Sequence, residues 1–452
     1  MSWDLAIEGA SLIQASGRVS ATIAISKGRV AAILDGPCPD ARRRIDAAGL
    51  IAMPGMVDQH VHFMDPGPSE REDFISGSSA AAAGGVTTVF EHTHSHPVLR
   101  ASDLLAKREH LSRRSLVDFG LVAHVFPDTV DQVESLWRAG AAYFKVFTCT
   151  THGVPALMSD RLLALFGELA RIGARALVHC EDEFITMADE ARLRAAGRSD
   201  GGVISEWRSP EAEMTAVGMV CLLARMTGAG VTIAHASSPA VVQLVRSARA
   251  QSPGIRVESC PQYLHLNAAE ALTQGPLRKF TPPARSAADV SGMRQLLGSG
   301  EIDLLATDHA PSTLAQKEAG DIWSCPFGLP GVETTLPLLL NACAEGWLSL
   351  EQVVHLYSEA PARLLGLYPR KGCLQVGADA DLVLVDQNSE QVLGQTIHSR
   401  AGWSPYAGMR TRGRVQMTLV RGELVAEAGR ICAEPGWGRA LIGQGAPAAT
   451  QD

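Results

Sequence analysis

The stretch Met56-Val57-Asp58-Gln59-His60-Val61-His62 decides the fold, because it is a short, largely apolar run that closes on two metal-binding side chains. Four other runs have a similar construction, and each closes on one side chain that can hold or bridge a metal ion. These runs span residues 141–145, 174–179, 230–235 and 302–308, and they end at Lys145, His179, His235 and Asp308. Buried runs of this length, separated by helix-like segments, are typical of parallel strands.

Three further runs complete a set of eight predicted strands. They span residues 86–92, 118–124 and 256–260, and helix-period apolar residues lie between the runs, as in 161–171 and 212–226. This alternation predicts an α/β fold, a TIM-type (β/α)8 barrel. Because side chains at the C-terminal ends of barrel strands meet at one face, the runs predict a shared metal centre. The pattern therefore predicts an enzyme.

Both ends of the chain have strand-like patterns outside this barrel. Residues 1–52 alternate short apolar runs with glycine-marked turns, and similar runs return between residues 371 and 440. We expect these two segments to pair in one small composite β-sandwich domain. The metal-dependent barrel would then span residues 53–370, and residues 441–452 would form a flexible tail.

Composition excludes several classes of protein. Hydrophobic residues make up 46% of the 452 residues, and the net charge of -8 offers no basic surface for nucleic acid. No apolar run approaches the roughly 20 residues of a membrane span, and the N-terminus lacks a signal-peptide pattern. The nine cysteines lack paired CxxC spacing, so a disulfide framework is not expected. We expect a cytoplasmic protein that binds neither nucleic acid nor membrane.

The candidate ligands have chemistry that suits divalent cations. His60 and His62 lie two residues apart, on one face of a strand, so both imidazoles can reach one ion. His179, His235 and Asp308 add ligands from other strands. Taken singly, each histidine could be an ordinary core residue, but their coincidence at strand ends favours a metal site.

Lys145 calls for a separate explanation. A buried lysine must pair with a carboxylate, lose its proton or be modified, because an isolated buried ammonium is costly. A neutral amine can add CO2 to form a carbamate, N6-carboxylysine, whose two oxygens can bridge two cations. The residues therefore favour two divalent metal ions joined by carboxylated Lys145, with a simple salt bridge of Lys145 as the alternative.

Longer motifs carry a resemblance to a known family. They are PGMVDQHVH, EDFISGSSAAAAGGVTTV, FKVF, LVHCEDE, VTIAHASS, CPQYLHL, KFTPPAR, ATDHAP, GLYPRKGCLQVGADADLVLVD and SPYAGMRTRGRV. By these motifs the chain resembles the cyclic amidohydrolases, a group that contains allantoinase, dihydroorotase and hydantoinase. The resemblance implies a TIM-type barrel, a small β domain, a homo-oligomer (tetramer or dimer) and two Zn²⁺ ions bridged by carboxylated lysine. By motif match, the metal ligands are His60, His62, Lys145, His179, His235 and Asp308.

The resemblance and the predicted metal centre imply a hydrolase that opens a cyclic amide or ureide ring by attack of a metal-bridging hydroxide. Asp308 would accept a proton from the hydroxide and pass it to the leaving ring nitrogen. Allantoinase-like activity is the leading hypothesis. Hydantoinase (dihydropyrimidinase) or cyclic-imide hydrolase activity is the alternative. In either case the expected partner is a small cyclic amide.

Several candidate substrate-binding positions depart from the family patterns. Met64 stands where dihydroorotases carry an arginine and allantoinases an asparagine, and methionine can neither donate a hydrogen bond nor pair with an anion. Dihydroorotase activity is therefore disfavoured. Ser95 and His96 lie near a usual asparagine, and Thr150 stands where hydantoinases place a tyrosine.

Other candidate positions have two interpretations each. His309 either contacts substrate or supports the metal ligands from behind. Phe327 and Gly328 belong to a loop that either binds the cyclic amide through backbone groups or is a simple turn. The three histidines at alternate positions in 92–96 either line the pocket or belong to a polar loop with one histidine facing substrate.

The sequence disfavours two rival classes of function. A non-catalytic scaffold is disfavoured because all six ligand positions are intact. A deaminase or related hydrolase on the same barrel is disfavoured because such sites usually hold one metal ion and lack a lysine at the position of Lys145.

Overall fold

The computed structural model describes residues 2–394 and 397–447. Its strands in chain order are β1 Trp3–Gln14, β2 Gly17–Ser26, β3 Arg29–Leu34, β4 Ala41–Asp46, β5 Ile51–Pro54, β6 Met56–Val61, β7 Val86–Glu91, β8 Asp118–Leu121, β9 Ala123–His124, β10 Phe144–Phe147, β11 Arg175–His179, β12 Gly230–Ile233, β13 Ile255–Ser259, β14 Leu304–Leu305, β15 Leu382–Val392, β16 Arg410–Val420, β17 Glu423–Glu427, β18 Arg430–Ile431 and β19 Ala440–Leu441.

The helices lie mostly between the strands of the central part of the chain. They are α1 Phe74–Ala83, α2 Ala101–Ser112, α3 Val133–Ala139, α4 Ser159–Ile172, α5 Glu183–Ala195, α6 Val203–Trp207, α7 Pro210–Thr227, α8 Pro239–Arg249, α9 Gln262–His265, α10 Ala269–Gln274, α11 Ala287–Gly298, α12 Leu314–Glu318, α13 Thr335–Ala344, α14 Leu350–Val354 and α15 Ala360–Leu364. Short 3-10 turns span Val130–Gln132 and Gly275–Arg278, and a π-helical turn spans His355–Glu359. The mixed α/β class is the predicted one.

The central strands are parallel and belong to two hydrogen-bonded sheets. One sheet has the order β14-β13-β12-β11-β10-β9, and the other has the order β19-β8-β7-β6. The predicted third strand, residues 118–124, is divided into β8 and β9. The division has a physical reason: Val122 N donates to Glu91 O at 3.1 Å, whereas Ala123 N donates to Tyr143 O at 3.2 Å, so the chain changes partner strands there.

The two sheets approach each other again beside the predicted metal ligands. Val61 forms a parallel bridge with His309, and His62 N donates to His309 O at 2.8 Å. The predicted eighth strand, residues 302–308, is reduced to β14, because the chain beyond Leu305 bonds to side chains and loops. For example, Thr307 N donates to Asp58 Oδ1 at 3.2 Å.

The helices pack their apolar faces on the central strands. In α4, Leu162, Leu165, Phe166 and Leu169 are all buried, and their spacing of three, one and three residues places them on one helical face. The helix ends at Gly173, whose φ of 72° suits the left-handed C-terminal cap that glycine adopts without strain. The sequence predicted this helix over residues 161–171.

The two ends of the chain share one sheet. Nine strands form it, in the order β18-β17-β16-β15-β5-β1-β2-β3, with β4 paired to β1. The junction is the antiparallel pairing of β5 with β15, in which Met53 faces Val383 and Ala52 faces Leu384. Buried Ile7, Leu12, Ile23 and Leu419 belong to one apolar cluster of this sheet.

A buried cluster of charges joins this sheet to the parallel strands. Lys371 Nζ lies 2.7 Å from Asp118 Oδ2 and 3.2 Å from Asp379 Oδ2, and it also pairs with Asp381. Arg421 pairs with the other oxygen of Asp118. The three carboxylates lie close enough to hold a cation, but the Lys371 ammonium already contacts all of them.

The C-terminal segment is attached to the parallel strands. β19 pairs in parallel with β8, and Gly443 N donates to Gly140 O at 2.9 Å. The part of the predicted tail from Leu441 to Pro447 is therefore packed on the protein, and residues 448–452 lie outside the described residues. None of the helices in 2–394 and 397–447 combines the length and apolar composition needed to cross a membrane.

Candidate metal centre

Two histidines and a lysine from the central strands lie close to the carboxylate of Asp308. His60 Nε2 and His62 Nε2 each lie 3.1 Å from Asp308 Oδ1. Lys145 Nζ lies 3.1 Å from His60 Nε2. Residues from different strands that are 83 to 248 positions apart in the chain thus converge, because the parallel strands end at the same edge.

His179 and His235 form the other side of the same cavity. His179 Nδ1 lies 3.0 Å from His235 Nε2, and both rings are buried. All six predicted ligands line this cavity. The described residues that line it are His60, His62, His94, Lys145, Phe147, His152, His179, His235, Phe280, Thr281, Asp308, Ala310 and Gly328.

Two of the predicted ligands follow strand ends in an unusual backbone conformation. His235 has a φ of 39° and Asp308 a φ of 49°, and both values lie in the left-handed region that non-glycine residues seldom adopt. Such strained residues cluster at functional sites. Lys145, which the sequence places at the end of a strand, lies inside β10, so its side chain reaches the cavity from the strand itself.

Carboxylates and a carbonyl behind the cavity fix the orientation of three imidazoles. Nδ1 of His60 lies 2.8 Å from Glu258 Oε1, and Nδ1 of His62 lies 2.8 Å from the carbonyl oxygen of His92. Nε2 of His179 lies 2.7 Å from Glu181 Oε2. These acceptors hold the ring proton on the far nitrogen, so the lone pair of the other nitrogen faces the cavity, as metal binding requires. The residues present therefore fit metal ions.

Burial and charge perturb the two predicted non-histidine ligands. Burial lowers the pKa of Lys145 to about 8, although Asp308 and Glu258 oppose the change. Burial alone would raise the pKa of Asp308, but the imidazoles of His60 and His62 outweigh it and hold the pKa of that carboxyl well below its usual range. A lysine with such a lowered pKa has a larger neutral fraction near neutral pH, and the neutral amine is the form that can react with CO2.

The predicted substrate-binding residues do not all lie at this cavity. Gly328 is in its wall, and Phe327 next to it contacts the His152 ring at a centroid distance of 5.5 Å. Thr150 is exposed and directs its hydroxyl to Glu183 Oε1 at 2.7 Å, so its side chain is held away from the cavity. Met64 is buried outside the wall, with a φ of 59°.

Three more of these residues also lie outside the wall. Ser95 and His96 are exposed and lie near Gly67. His309 is buried, and its Nδ1 accepts hydrogen bonds from Gly331 N at 3.0 Å and Val332 N at 3.2 Å. Those bonds hold the segment before α13, and Nε2 of His309 lies 3.4 Å from Glu72 Oε2, so neither nitrogen has a described hydrogen bond to a proposed metal ligand.

The histidines after β7 lie at different positions relative to the cavity. His94 lies in the wall, with its ring 4.1 Å from that of His62. His92 is buried beneath the His60 and His62 rings, at centroid distances of 4.5 Å and 4.4 Å, and neither of its nitrogens has a hydrogen-bond partner in the described structure.

Several residues of the site escaped the sequence analysis. Glu258 and Glu181 act on other side chains, but Glu258 lies inside a predicted strand and Glu181 follows one, and a carboxylate at either position is a usable signal. Arg208 lies 3.3 Å from Glu181 Oε2 and is buried. Nothing in the local pattern around Arg208 marks it, because it is brought to the site by the segment between α6 and α7.

Comparison with known proteins identifies the family. The sequence pattern of the amidohydrolase family matches residues 51–425, which is most of the chain. The chain belongs to the amidohydrolase family. The predicted resemblance is thereby confirmed, and the α/β architecture is that of this family.

Similar proteins cover nearly the whole chain. An L-hydantoinase of Paenarthrobacter aurescens is 35% identical over 446 residues, or 97% of each chain. An allantoinase of Solibacter usitatus is 35% identical over 95% of each chain, and a dihydroorotase of Halobacterium salinarum is 36% identical over 90% of this chain and 98% of its own. Among solved structures, an L-hydantoinase (dihydropyrimidinase) from Arthrobacter aurescens has a TM-score of 0.94 at 34% identity, covering 97% of this chain and 100% of that one.

Proposed function

We propose that this amidohydrolase is a metal-dependent hydrolase that opens a cyclic amide or ureide ring. The observation that carries the proposal is the convergence of four imidazoles, a buried lysine and one carboxylate on a single cavity. The relatives support the reaction class, because hydantoinases, allantoinases and dihydroorotases all open such rings.

We further propose that two divalent ions, Zn²⁺ by family resemblance, are held by the six side chains. Lys145 would bridge them as N6-carboxylysine, since its pKa of about 8 makes the neutral amine accessible. When bound, the ions lower the pKa of a shared water and polarise the carbonyl of the substrate. The remaining ligands would be His60, His62, His179, His235 and Asp308.

Asp308 has the position and charge of the proton carrier. Its low pKa keeps it ionised at neutral pH, so it can accept the proton of the attacking water as the new C–O bond forms. It then returns that proton to the ring nitrogen as the C–N bond breaks, and the ring opens to an acid and an amine, amide or urea group. Glu258 and Glu181 hold His60 and His179 in place throughout.

The substrate class is a five-membered ureide. Hydantoins and allantoin share the hydantoin ring, and allantoin adds a ureido substituent, so one ring-binding site serves both hypotheses. Allantoinase-like activity and hydantoinase activity are equally supported by the relatives. Dihydroorotate is disfavoured, because the wall contains no arginine for its carboxylate and Met64 is buried outside it.

Membership of the amidohydrolase family also supports proposals on the architecture and the assembly. We propose that the eight parallel strands close a barrel over residues 53–370, and that residues 1–52 and 371–440 form the small β domain. A homo-oligomer, either a dimer or a tetramer, is supported by the exposed apolar side chains on α5 and α7, including Phe184 at 66% and Met226 at 63% exposure. The nine free cysteines suit the reducing cytoplasm.

A turnover panel tests the function. The purified protein, with metal content measured, is given hydantoin, allantoin, dihydrouracil, dihydroorotate, succinimide and phthalimide. We expect ring opening of hydantoin or allantoin, with about two metal ions per chain. Turnover of dihydroorotate alone would overturn the substrate class, and one metal ion per chain without any ring opening would favour a deaminase-type site.

Asp308→Asn provides the matched control for this panel. We expect it to lose activity by a factor of at least about 10³ while most of the metal stays bound, because one carboxylate oxygen is replaced by an amide that cannot carry the proton. Retention of most of the activity by this variant would contradict the role of Asp308 as proton carrier.

A further inference from the structure

His152 lies in the wall of the catalytic cavity, although it is not one of the proposed ligands. Its ring is held between two others, with centroid distances of 5.0 Å to His94 and 5.5 Å to Phe327. Two other polar side chains of the wall that are not proposed ligands make contacts of their own. Thr281 Oγ1 donates to Glu181 Oε2 at 2.7 Å, and His94 Nδ1 lies 3.2 Å from His124 Nε2.

A tight turn places His152 at this position. Thr151 N donates to Val154 O at 3.1 Å, and Val154 N donates back to Thr151 O at 2.8 Å. The two central residues, His152 and Gly153, have φ values of 56° and 77°. Positive φ at both positions defines a type I′ turn, a conformation that residues other than glycine adopt uncommonly. The backbone therefore pays a conformational cost at His152, as functional residues often do.

The surroundings of His152 select one tautomer. Its Nδ1 lies 3.1 Å from the Thr151 hydroxyl, and Arg208 Nη2 lies 3.5 Å from the same oxygen. Arg208 can only donate, so it faces a lone pair of that oxygen. In the part of the chain that the structure describes, Nδ1 is the one acceptor within reach of the buried Thr151 hydroxyl. The hydroxyl therefore donates to Nδ1, and the ring proton is on Nε2.

We propose that His152 is a catalytic residue whose Nε2–H donates a hydrogen bond to the substrate carbonyl oxygen as that oxygen gains negative charge. This role rests on the proposed ring-opening function. Attack forms a C–O bond and moves the carbonyl electron pair to the oxygen. The charge returns when the C–N bond breaks, and the proton of His152 stays on Nε2 throughout. Burial and the nearby His179 hold the pKa of His152 well below its usual range, which keeps the ring neutral.

The contacts of Thr150 exclude it as the donor. A hydroxyl at this position would be the simplest substitute for a tyrosine, but Thr150 donates to Glu183 at 2.7 Å and is exposed. The turn that follows brings the imidazole of His152 to the wall in its place.

Two variants separate hydrogen bonding from packing. His152→Phe keeps a ring but removes the N–H, and His152→Gln keeps an N–H donor of similar reach. We expect His152→Phe to lose about 10²–10³-fold in kcat on hydantoin or allantoin, as for the loss of one oxyanion donor, and to raise KM by the smaller factor of about threefold to tenfold. His152→Gln should recover at least tenfold of that loss. The exposed His355→Gln is the control, and metal content and thermal unfolding of each variant show that it is folded and loaded.

Ligand binding supplies a readout apart from turnover. In the Asp308→Asn background, calorimetry measures the Kd for hydantoin, and adding His152→Phe should weaken binding by about threefold to tenfold, since a neutral hydrogen bond contributes roughly 1 kcal/mol. Adding His152→Gln should leave the Kd within about twofold.

The outcomes distinguish this role from the proposed function. A wild-type protein that opens none of the rings overturns both. An active wild type with a His152→Phe variant within threefold of it overturns the role of His152 alone. Equal losses in His152→Phe and His152→Gln also overturn the role, because they indicate that the imidazole only packs.

Discussion

Glu258 Oε1 lies 2.8 Å from Nδ1 of His60, and this contact determines which nitrogen of His60 faces the cavity. Oε1 of Glu258 also accepts from the backbone N of His235 at 3.2 Å. The other oxygen, Oε2, accepts from Gln59 Nε2 at 2.5 Å. One buried carboxylate thus connects two proposed ligands from different strands.

Replacing this carboxylate by an amide should weaken metal binding. We expect Glu258→Gln to reduce metal affinity by about 10–100-fold, because the neutral amide supports the His60 ring proton poorly and can present the wrong group to it. Competition with a metal-sensitive chelating dye measures the effect. The exposed Glu390→Gln is the control, and equal affinities in the two variants would contradict the orienting role.

Carboxylation of Lys145 should make metal loading depend on CO2. We expect the chelator-treated protein to recover fully with Zn²⁺ plus bicarbonate, and to recover far less in CO2-depleted buffer, because the bare amine cannot bridge two cations. Lys145→Ala should fail to reach two ions per chain under either condition. Metal analysis after gel filtration is the measurement, and full loading of Lys145→Ala would contradict the bridge.

Removing Lys371 should destabilise the protein strongly. Lys371→Met leaves Asp118, Asp379 and Asp381 without their shared cation, and breaking a buried ion pair on one side costs about 3–5 kcal/mol. Denaturant unfolding monitored by circular dichroism measures the loss. Arg410→Gln, at an exposed ion pair with Glu390, should change the free energy of unfolding by less than about 1 kcal/mol. A similar small effect at Lys371 would show that the cluster does not hold the two parts together.

Gly328→Ala should damage both the fold and the cavity. Gly328 has a φ of 111°, and a Cβ placed there would lie 2.2 Å from the carbonyl oxygen of Ala310, another wall residue. Gly346→Ala is a matched control, since its φ of 83° carries a backbone cost but its Cβ would meet nothing within 4 Å. We expect the control to lose about 1 kcal/mol and Gly328→Ala to lose more, with ring-opening activity falling only in the latter. Equal stability losses and unchanged activity would contradict a tight contact at this wall.

The sequence was sufficient to predict the position of a residue where the local pattern and the topology agree. Each run ending in His60, His179 or His235 predicts a buried parallel strand, and parallel strands necessarily bring their ends to one edge. The six proposed ligands, all of which line the cavity, were predicted from this relationship and from family motifs.

The sequence was insufficient to predict which side chains reach the cavity where a loop determines their position. Thr150 and His152 are two residues apart, yet a turn with positive φ at His152 places the imidazole at the cavity and Thr150 at Glu183. No periodic pattern reports such a turn. Glu258 and Arg208 were missed for another reason, since Glu258 contacts the proposed ligand His60 and Arg208 contacts Glu181, and neither has ligand spacing of its own.

The pairing of β5 with β15 has a consequence for biosynthesis. During translation, every proposed ligand has been synthesised once residue 308 is added, but the partner of Ile51–Pro54 begins only at Leu382. Until then the hydrogen-bonding edge of β5 faces solvent, and an open edge of this kind invites pairing with other chains. Fragments that stop before residue 382 should therefore aggregate even though their catalytic residues are all present.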